Sequence, residues 1–136
     1  MNRRGFLAVA GAGVATLAGC TVGGLSDGDY DIGMSANEFL PQRYELELGE
    51  TVVWGNNGSR GHTVTAYDTL PDGASFFASG GFESQAEAET EWANTGAGNI
   101  PPGETFMHTF DVAGEHPYYC IPHEDAGMVG TIVVVD

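Results

Sequence analysis

A cysteine, a histidine and a methionine stand close together near the end of the chain, in the stretch YYCIPHEDAGMVG (residues 118–130). They are Cys120, His123 and Met128, in the spacing C-x2-H-x4-M. Two sulfur ligands with one imidazole nitrogen suit a thiophilic, redox-active metal far better than Mg²⁺ or Ca²⁺. The stretch therefore predicts part of a metal site, and a fourth ligand has to come from elsewhere in the chain.

His62 is the candidate for that fourth ligand. It lies where the glycine-rich loop NNGSRG (residues 56–61) enters the segment HTVTAYD (residues 62–68). In a β-sandwich, an early boundary between loop and strand can lie beside the loop that follows the penultimate strand. His62, Cys120 and His123 would then form a trigonal plane of two nitrogens and one sulfur. Met128 would be the distant axial thioether, which is the arrangement of blue copper sites.

The two remaining histidines have structural interpretations. His108 shares its strand parity with the phenylalanines on either side of it, and His116 shares the parity of Tyr118. Inward-facing histidines are more often hydrogen-bonded core residues than metal ligands, so neither is taken as a ligand. Tyr119 has the opposite parity to Cys120 and is expected to face outward, either for its β-propensity or as part of an electron route.

The elements that must position these residues are predicted to be strands. Hydrophobic residues alternate with period two from residue 30 onward, and the chain closes on the β-rich TIVVV (residues 131–135). Glycine- and proline-rich turns separate these runs. Only ESQAEAETEWAN (residues 83–94) reads as a helix, and it is short and very acidic. We expect an all-β sandwich of seven or eight strands with this helix as a solvated excursion.

The N-terminal segment resembles an export signal. Arg3 and Arg4 are paired, as in twin-arginine signals, and the fourteen small or apolar residues 6–19 are fewer than the roughly 20 needed to span a bilayer as a helix. The stretch ends in LAGC (residues 17–20), which is similar to a lipobox whose cysteine receives a lipid. The alternative is an ordinary signal peptide with a chance cysteine.

We therefore divide the chain into a signal peptide (residues 1–19), a lipidated Cys20 with a short flexible tether (residues 20–29) and one domain (residues 30–136). This organisation predicts an exported protein anchored to the outer face of the cell membrane by its lipid. Lipidation of Cys20 would leave Cys120 as the only thiol of the domain. A lone extracellular thiol needs a reason to stay unoxidised, and a bound metal is one.

The charge of the chain is strongly negative. Nineteen acidic residues face four arginines and no lysine, and removal of residues 1–19 would leave two arginines and a formal charge of −17. Nucleic acid is therefore excluded as a partner. The acidic residues spread through every segment, which favours adaptation to high salt over the alternative of one acidic docking surface for a cationic partner.

Three segments carry a family resemblance. They are NEFLPQRYELELGETVVWGNNGSRGHTV (residues 37–64), PDGASFFASG (residues 71–80) and GETFMHTFDVAGEHPYYCIPHEDAGMVGTIVV (residues 103–134). The domain resembles plastocyanin-type cupredoxins, and among them the halocyanins, the membrane-anchored blue copper proteins of halophiles. Thr63 stands where plastocyanins usually have asparagine, a departure that bears on the hydrogen bonds around the ligands and not on the ligands themselves.

The resemblance implies a Greek-key sandwich that holds one type 1 copper per chain through His62, Cys120, His123 and Met128. It implies a monomeric electron carrier, not an enzyme, that exchanges single electrons with membrane redox complexes. It also implies that the edge of His123 is exposed within an apolar rim, which consists of Ile121, Pro122, Ala126, Gly127 and Val129.

Rival functions explain less of the sequence. A copper-delivery protein could use the same ligands, but such proteins usually add exposed tracts rich in methionine or histidine. A cysteine hydrolase would leave Met128 and the lipid unexplained. A multicopper enzyme needs many more histidines than the four present.

Overall fold

The structure, a computed structural model, describes residues 25–136. The predicted signal peptide, the predicted lipid-carrying Cys20 and the first part of the predicted tether lie outside the described residues. Within residues 25–136, no helix has the length and apolar character required to cross a membrane.

Eight strands, one α-helix and two short 3-10 helices make up the regular structure of the described residues. The strands are β1 (Ile32–Met34), β2 (Phe39–Leu40), β3 (Arg43–Glu47), β4 (Thr51–Gly55), β5 (Thr65–Ala66), β6 (Thr105–Thr109), β7 (Gly114–Tyr119) and β8 (Val129–Val135). The helix, α1 (Gln85–Thr95), lies between β5 and β6. The strands form two sheets of four, in the orders β2-β1-β4-β6 and β3-β8-β7-β5. The prediction of an all-β sandwich of seven or eight strands is confirmed.

Both sheets are mixed, because one strand pair in each is parallel. β1 pairs with β4 and β3 pairs with β8 in parallel, whereas the other neighbouring strands are antiparallel. Along β8 the burial alternates as the period-two pattern predicts, with Gly130, Ile132 and Val134 buried. The buried positions of both sheets face each other and form one core.

Aromatic rings fill the centre of that core. Trp54 is fully buried, with its ring centroid 5.4 Å from that of Tyr118 and 6.0 Å from that of Phe77. A fully buried side chain of this size stabilises the fold by roughly 1.5–3 kcal/mol or more. Cys120 and Met128 belong to the same core cluster, so the predicted metal ligands are continuous with the hydrophobic core.

His108 and His116 pack within the sandwich. The ring of His108 stacks on Phe77 at 4.8 Å, and the Nε2 of the buried His116 donates a hydrogen bond to the Val112 carbonyl at 2.8 Å. Burial lowers the pKa of both histidines. Neither joins the group of potential metal ligands described below.

The helix was expected to be a solvated excursion, and this expectation is only partly correct. α1 begins after Ser84, whose hydroxyl accepts the Glu87 N–H at 3.0 Å, and it ends at Gly96 in the left-handed conformation. Its acidic side faces solvent, but Ala88 is buried and Glu89 accepts a hydrogen bond from the Tyr119 hydroxyl.

Tyr119 lies on the outer side of its sheet, as its strand parity predicts, but that side is covered and not open to solvent. The side chain is 0% exposed. Its ring stacks on Tyr67 with centroids 4.4 Å apart, and its hydroxyl is capped by Glu89 of α1. The strand parity was read correctly as opposite to that of Cys120, but a helix covers this side of the sheet.

Candidate metal centre

His62 is held at its position by the loop that precedes it. The backbone of His62 pairs with that of Ile100, with N···O distances of 3.3 and 2.7 Å. The fully buried Asn56 ties this loop together, because its amide group donates to the carbonyls of Arg60 at 2.6 Å and of Ile100 at 2.8 Å. Its oxygen accepts the Gly58 N–H at 3.0 Å. The glycine-rich loop is therefore a fixed support for His62.

The other three predicted ligands lie on one closed loop. Cys120 follows β7, and a 3-10 helix, Ile121–Ala126, carries His123. The Met128 N–H donates to the His123 carbonyl at 3.2 Å, and the Cys120 N–H donates to the Met128 carbonyl at 3.0 Å. Gly127 closes the turn at φ 91°, a conformation that side chains disfavour. These bonds bring the start and the end of the C-x2-H-x4-M motif side by side.

Three of the predicted ligand atoms converge on one point. His62 Nδ1 lies 3.7 Å from Cys120 Sγ, Cys120 Sγ lies 3.4 Å from His123 Nδ1, and the two nitrogens are 3.2 Å apart. The point equidistant from the corners of such a triangle lies inside it, about 2.0 Å from each atom, close to the bond lengths of borderline-soft metal ions to nitrogen and sulfur in proteins. Among the described residues, this is the only group of three histidine, cysteine or carboxylate side chains that meets within 4.8 Å.

The chemistry of these atoms also fits a metal cation. Two imidazole nitrogens and a thiol sulfur face one another at these distances, and each of the three atoms can offer a lone pair to one cation. A cation that binds all three forms three bonds, and the bound cysteine is then a thiolate. The donor set of two imidazoles and a thiolate with a thioether nearby is that of copper.

Burial distinguishes the four residues. The side chains of His62, Cys120 and Met128 are fully buried, and His123 is half-buried. Met128 lies in the core beside Cys120, to which its carbonyl is hydrogen-bonded. His123 is thus the predicted ligand with a route to the surface.

The ionisation of the metal-free site follows from this burial. The pKa of His62 is lowered from 6.5 to about 4, chiefly by burial and also by the neighbouring His123 and Arg60, while the Ser35 carbonyl opposes the shift. Burial also lowers the pKa of His123 and raises the pKa of the Cys120 thiol. The histidines are therefore held neutral, ready to bind a metal, whereas the thiol has to lose its proton to a metal ion.

Thr63 connects the two halves of the site. Its backbone N–H donates to Cys120 Sγ at 3.4 Å, and its hydroxyl oxygen accepts the Ile121 N–H at 2.8 Å. The sequence marked this position as a departure from the plastocyanin pattern, and the structure shows that threonine supplies hydrogen bonds there. The sequence analysis did not predict the hydrogen bonds by which the Asn56 side chain fixes the loop before His62, although the paired asparagines of that loop were a signal for them.

The fold and this cluster define a type 1 copper protein of the cupredoxin class, in which His62, Cys120, His123 and Met128 form the copper site. Residues 28–135 match the family model described as "Copper binding proteins, plastocyanin/azurin family". The chain belongs to this family.

Relatives and solved structures agree with this assignment. The chain is similar to chloroplastic plastocyanin of Chlamydomonas reinhardtii, with 34% identity over 129 residues that cover 93% of this chain and 79% of the relative. A plastocyanin of Scenedesmus fuscus is 35% identical over 97 residues, which cover 71% and 85%. The purple cupredoxin of Nitrosopumilus maritimus shares the fold with a TM-score of 0.51 at 23% identity, over 74% of this chain and 84% of that one. The chain is therefore a copper electron-transfer protein and not an enzyme.

Proposed function

We propose that this protein is a halocyanin-like carrier that shuttles single electrons between membrane redox complexes while a lipid on Cys20 holds it at the outer face of the cell membrane. The observation that supports this most is the cluster of His62, Cys120 and His123, which is formed inside the sandwich with donor atoms 3.2 to 3.7 Å apart. Ligands that the fold holds in one arrangement suit rapid, repeated electron exchange.

The chain favours such exchange by limiting movement at the site. Copper bound there supplies the one-electron couple, since sulfur ligands favour Cu(I) and imidazole also accepts Cu(II). The backbone bonds between Cys120 and Met128, and the bond from the Thr63 N–H to Cys120 Sγ, hold the ligands in one arrangement. Pro122 has no N–H to offer the same sulfur. With few hydrogen bonds to withdraw its charge, the thiolate donates more strongly to Cu(II), which favours a lowered reduction potential.

The electron leaves most directly at His123. Of the apolar rim, Pro122, Ala126 and Gly127 are exposed, whereas Ile121 and Val129 are half-buried. The rim lets a partner approach His123 without displacing tightly held water. The alternative exit beside Cys120 runs through Tyr119, which α1 and Tyr67 cover.

The decisive experiment compares two added charges on the same strand. Val129→Glu places a carboxylate in the rim, whereas Val135→Glu adds the same charge six residues away, roughly 20 Å along β8. We expect Val129→Glu to slow reduction of the oxidised, coloured protein by isolated membranes of the source organism, with colour and copper content retained. Val135→Glu should behave like the wild type. Equal rates for Val129→Glu and the wild type would direct the search to the Tyr119 side.

Copper delivery is the alternative use of the same ligands. A carrier of electrons keeps its metal through many cycles of reduction and oxidation, whereas a delivery protein hands it over. Retention of one copper per chain after repeated electrochemical cycling in the presence of an apo-protein acceptor supports electron transfer. Loss of copper to the acceptor in the reduced state would support delivery.

The anchor is tested separately by fractionation. Cys20→Ser should move the protein from the membrane fraction to the soluble fraction without change in its colour. Unchanged membrane association would mean that residues 1–19 are retained as the anchor.

A further inference from the structure

We propose that Tyr67 is a positioning residue for the copper-ligand loop, which it fixes from outside through a hydrogen bond to Glu124. The Tyr67 hydroxyl donates to Glu124 Oε2 at 2.7 Å. Glu124 directly follows the ligand His123 in the 3-10 helix of the loop. The proposal concerns the copper site alone and does not depend on the identity of the electron partners.

Tyr67 is well placed for this role because it is itself fixed to the sheet. It directly follows β5, and its N–H donates to the Pro117 carbonyl of β7 at 3.0 Å. Its ring stacks on that of Tyr119, with centroids 4.4 Å apart and planes 22° apart. The packing of the Tyr67 side chain already restricts its conformation. The hydrogen bond to Glu124 therefore costs little further conformational entropy on the side of Tyr67.

The copper-ligand loop, which carries the acceptor Glu124, is held by few strong bonds of its own. The loop is held internally by backbone bonds of a 3-10 helix, whose geometry is weaker than that of an α-helix. Within the loop, the Gly127 N–H donates to the Glu124 carbonyl at 2.9 Å, and the Met128 N–H donates to the His123 carbonyl. The Glu124 side chain extends this local network to a rigid strand. His123, between Cys120 and Glu124, then has less freedom to shift.

The hydrogen bond has a charged acceptor and a donor that keeps its proton. Burial and the neighbouring Glu124 raise the pKa of Tyr67 above its ordinary value of 10.0. The phenol therefore stays protonated over the whole pH range in which a protein of this type is handled. Hydrogen bonds to charged groups are among the stronger ones in proteins.

A second phenol makes a similar bond nearby and provides the control. Tyr119 donates to Glu89 of α1, so its hydroxyl fastens the helix and not the ligand loop. Tyr119→Phe removes that bond and leaves the bond between Tyr67 and Glu124 in place. Tyr67→Phe does the reverse, and both variants keep the stacked rings.

The experiment measures amide hydrogen exchange in the metal-free full chain. We expect Tyr67→Phe to speed exchange at the amides of His123, Gly127 and Met128 roughly 10-fold, which corresponds to about 1.4 kcal/mol of lost local stability. Amides of β7 and β8 should be unchanged. Tyr119→Phe should leave the three loop amides at the wild-type rate.

Glu124→Gln tests whether the bond itself carries the effect. The amide oxygen of glutamine can still accept from Tyr67, so Glu124→Gln should keep slow exchange in the loop, whereas Glu124→Ala should match Tyr67→Phe. The combination of Tyr67→Phe with Glu124→Ala should be no faster than either alone, because both remove the same bond. In the copper-loaded protein, Tyr67→Phe should also release copper to a chelator faster.

Three results would overturn the proposal. Unchanged loop exchange in Tyr67→Phe would show that the bond does not hold the loop. Equal acceleration across β7 and β8 would show that Tyr67 supports the domain in general. Additive effects in the double variant would show that Tyr67 and Glu124 act independently.

Discussion

Replacement of Thr63 by valine isolates the hydroxyl that joins the two halves of the copper site. Thr63 is 1% exposed, and its hydroxyl oxygen accepts the Ile121 N–H at 2.8 Å and the Thr65 hydroxyl at 3.3 Å. Valine has nearly the same shape but offers no acceptor. Thr63→Val therefore leaves the Ile121 N–H without its partner next to the ligand Cys120.

The expected cost follows from that N–H. A part-buried donor that loses its acceptor costs about 1–3 kcal/mol, and we take about 2 kcal/mol for this site. For a domain of this size, each kcal/mol lowers the melting temperature by roughly 4 °C, so a fall of about 8 °C is expected for the metal-free protein. The copper-loaded protein should also release its metal faster, since Ile121 follows the thiolate ligand.

The assay is thermal unfolding of the metal-free protein followed by circular dichroism, with chelator-driven copper release as the second measurement. Thr63→Ser is the matched control, because serine keeps the hydroxyl oxygen and loses only a methyl group, worth about 0.8 kcal/mol. If Thr63→Val melts at the same temperature as Thr63→Ser, the hydroxyl does not support the Ile121 segment. If Thr63→Val melts lower but releases copper at the wild-type rate, the bond stabilises the domain without positioning the ligands.

Three further predictions concern the ligands and the charge. Cys120→Ser should abolish the strong visible absorption of the oxidised protein, because that colour depends on a copper–thiolate bond, and a retained band would refute the ligand assignment. In the metal-free protein, the stability difference between the wild type and His62→Gln should change by roughly 3 kcal/mol between pH 7 and pH 4. The folded state keeps His62 neutral down to about pH 4 while the unfolded chain takes up a proton near pH 6.5, so stability is lost as the pH falls through this window; a constant difference would contradict the pKa shift. The formal charge of −17 predicts that the melting temperature rises steeply from low to molar salt, equally in NaCl and KCl, and a flat profile would exclude self-repulsion as the cause.

The parts of the fold and site that depend on local patterns could be predicted from the sequence. The period-two alternation identified the strands, and the helix predicted over residues 83–94 is found at Gln85–Thr95. Cys120, His123 and Met128 lie within nine residues of one another, so their spacing alone indicated a metal site. His62 needed an assumption about which loops meet, and the structure confirms that it meets Cys120.

The parts that depend on contacts between distant segments could not be predicted. Strand parity placed Tyr119 on the outer side of its sheet. Parity does not tell which element packs against that side. Glu89 and Tyr119, which are hydrogen-bonded, lie 30 residues apart in the chain. Tyr67 and Glu124 lie 57 residues apart. Such contacts depend on how the helix and the loop dock on the sheet, which composition and periodicity do not determine.

The register between β5 and β7 explains why these contacts converge on the copper site. β5 has two residues and pairs with β7 through Thr65 opposite Tyr119. The same register continues in both directions. At one end the Tyr67 N–H donates to the Pro117 carbonyl.

At the other end of this ladder, Thr63 stands opposite Ile121, whose N–H bonds to the threonine hydroxyl in place of a backbone carbonyl. A slip of two residues would move His62 by about 7 Å relative to Cys120, far more than the 3.7 Å between their ligand atoms. A strand of two residues resists such a slip only weakly. The hydrogen bonds at its two ends, made by Tyr67 and Thr63, therefore contribute much of the resistance. The backbone pairing of β5 with β7 ends at Thr65 and Tyr119, so the bond between Thr63 and Ile121 is the last link before the metal ligands His62 and Cys120.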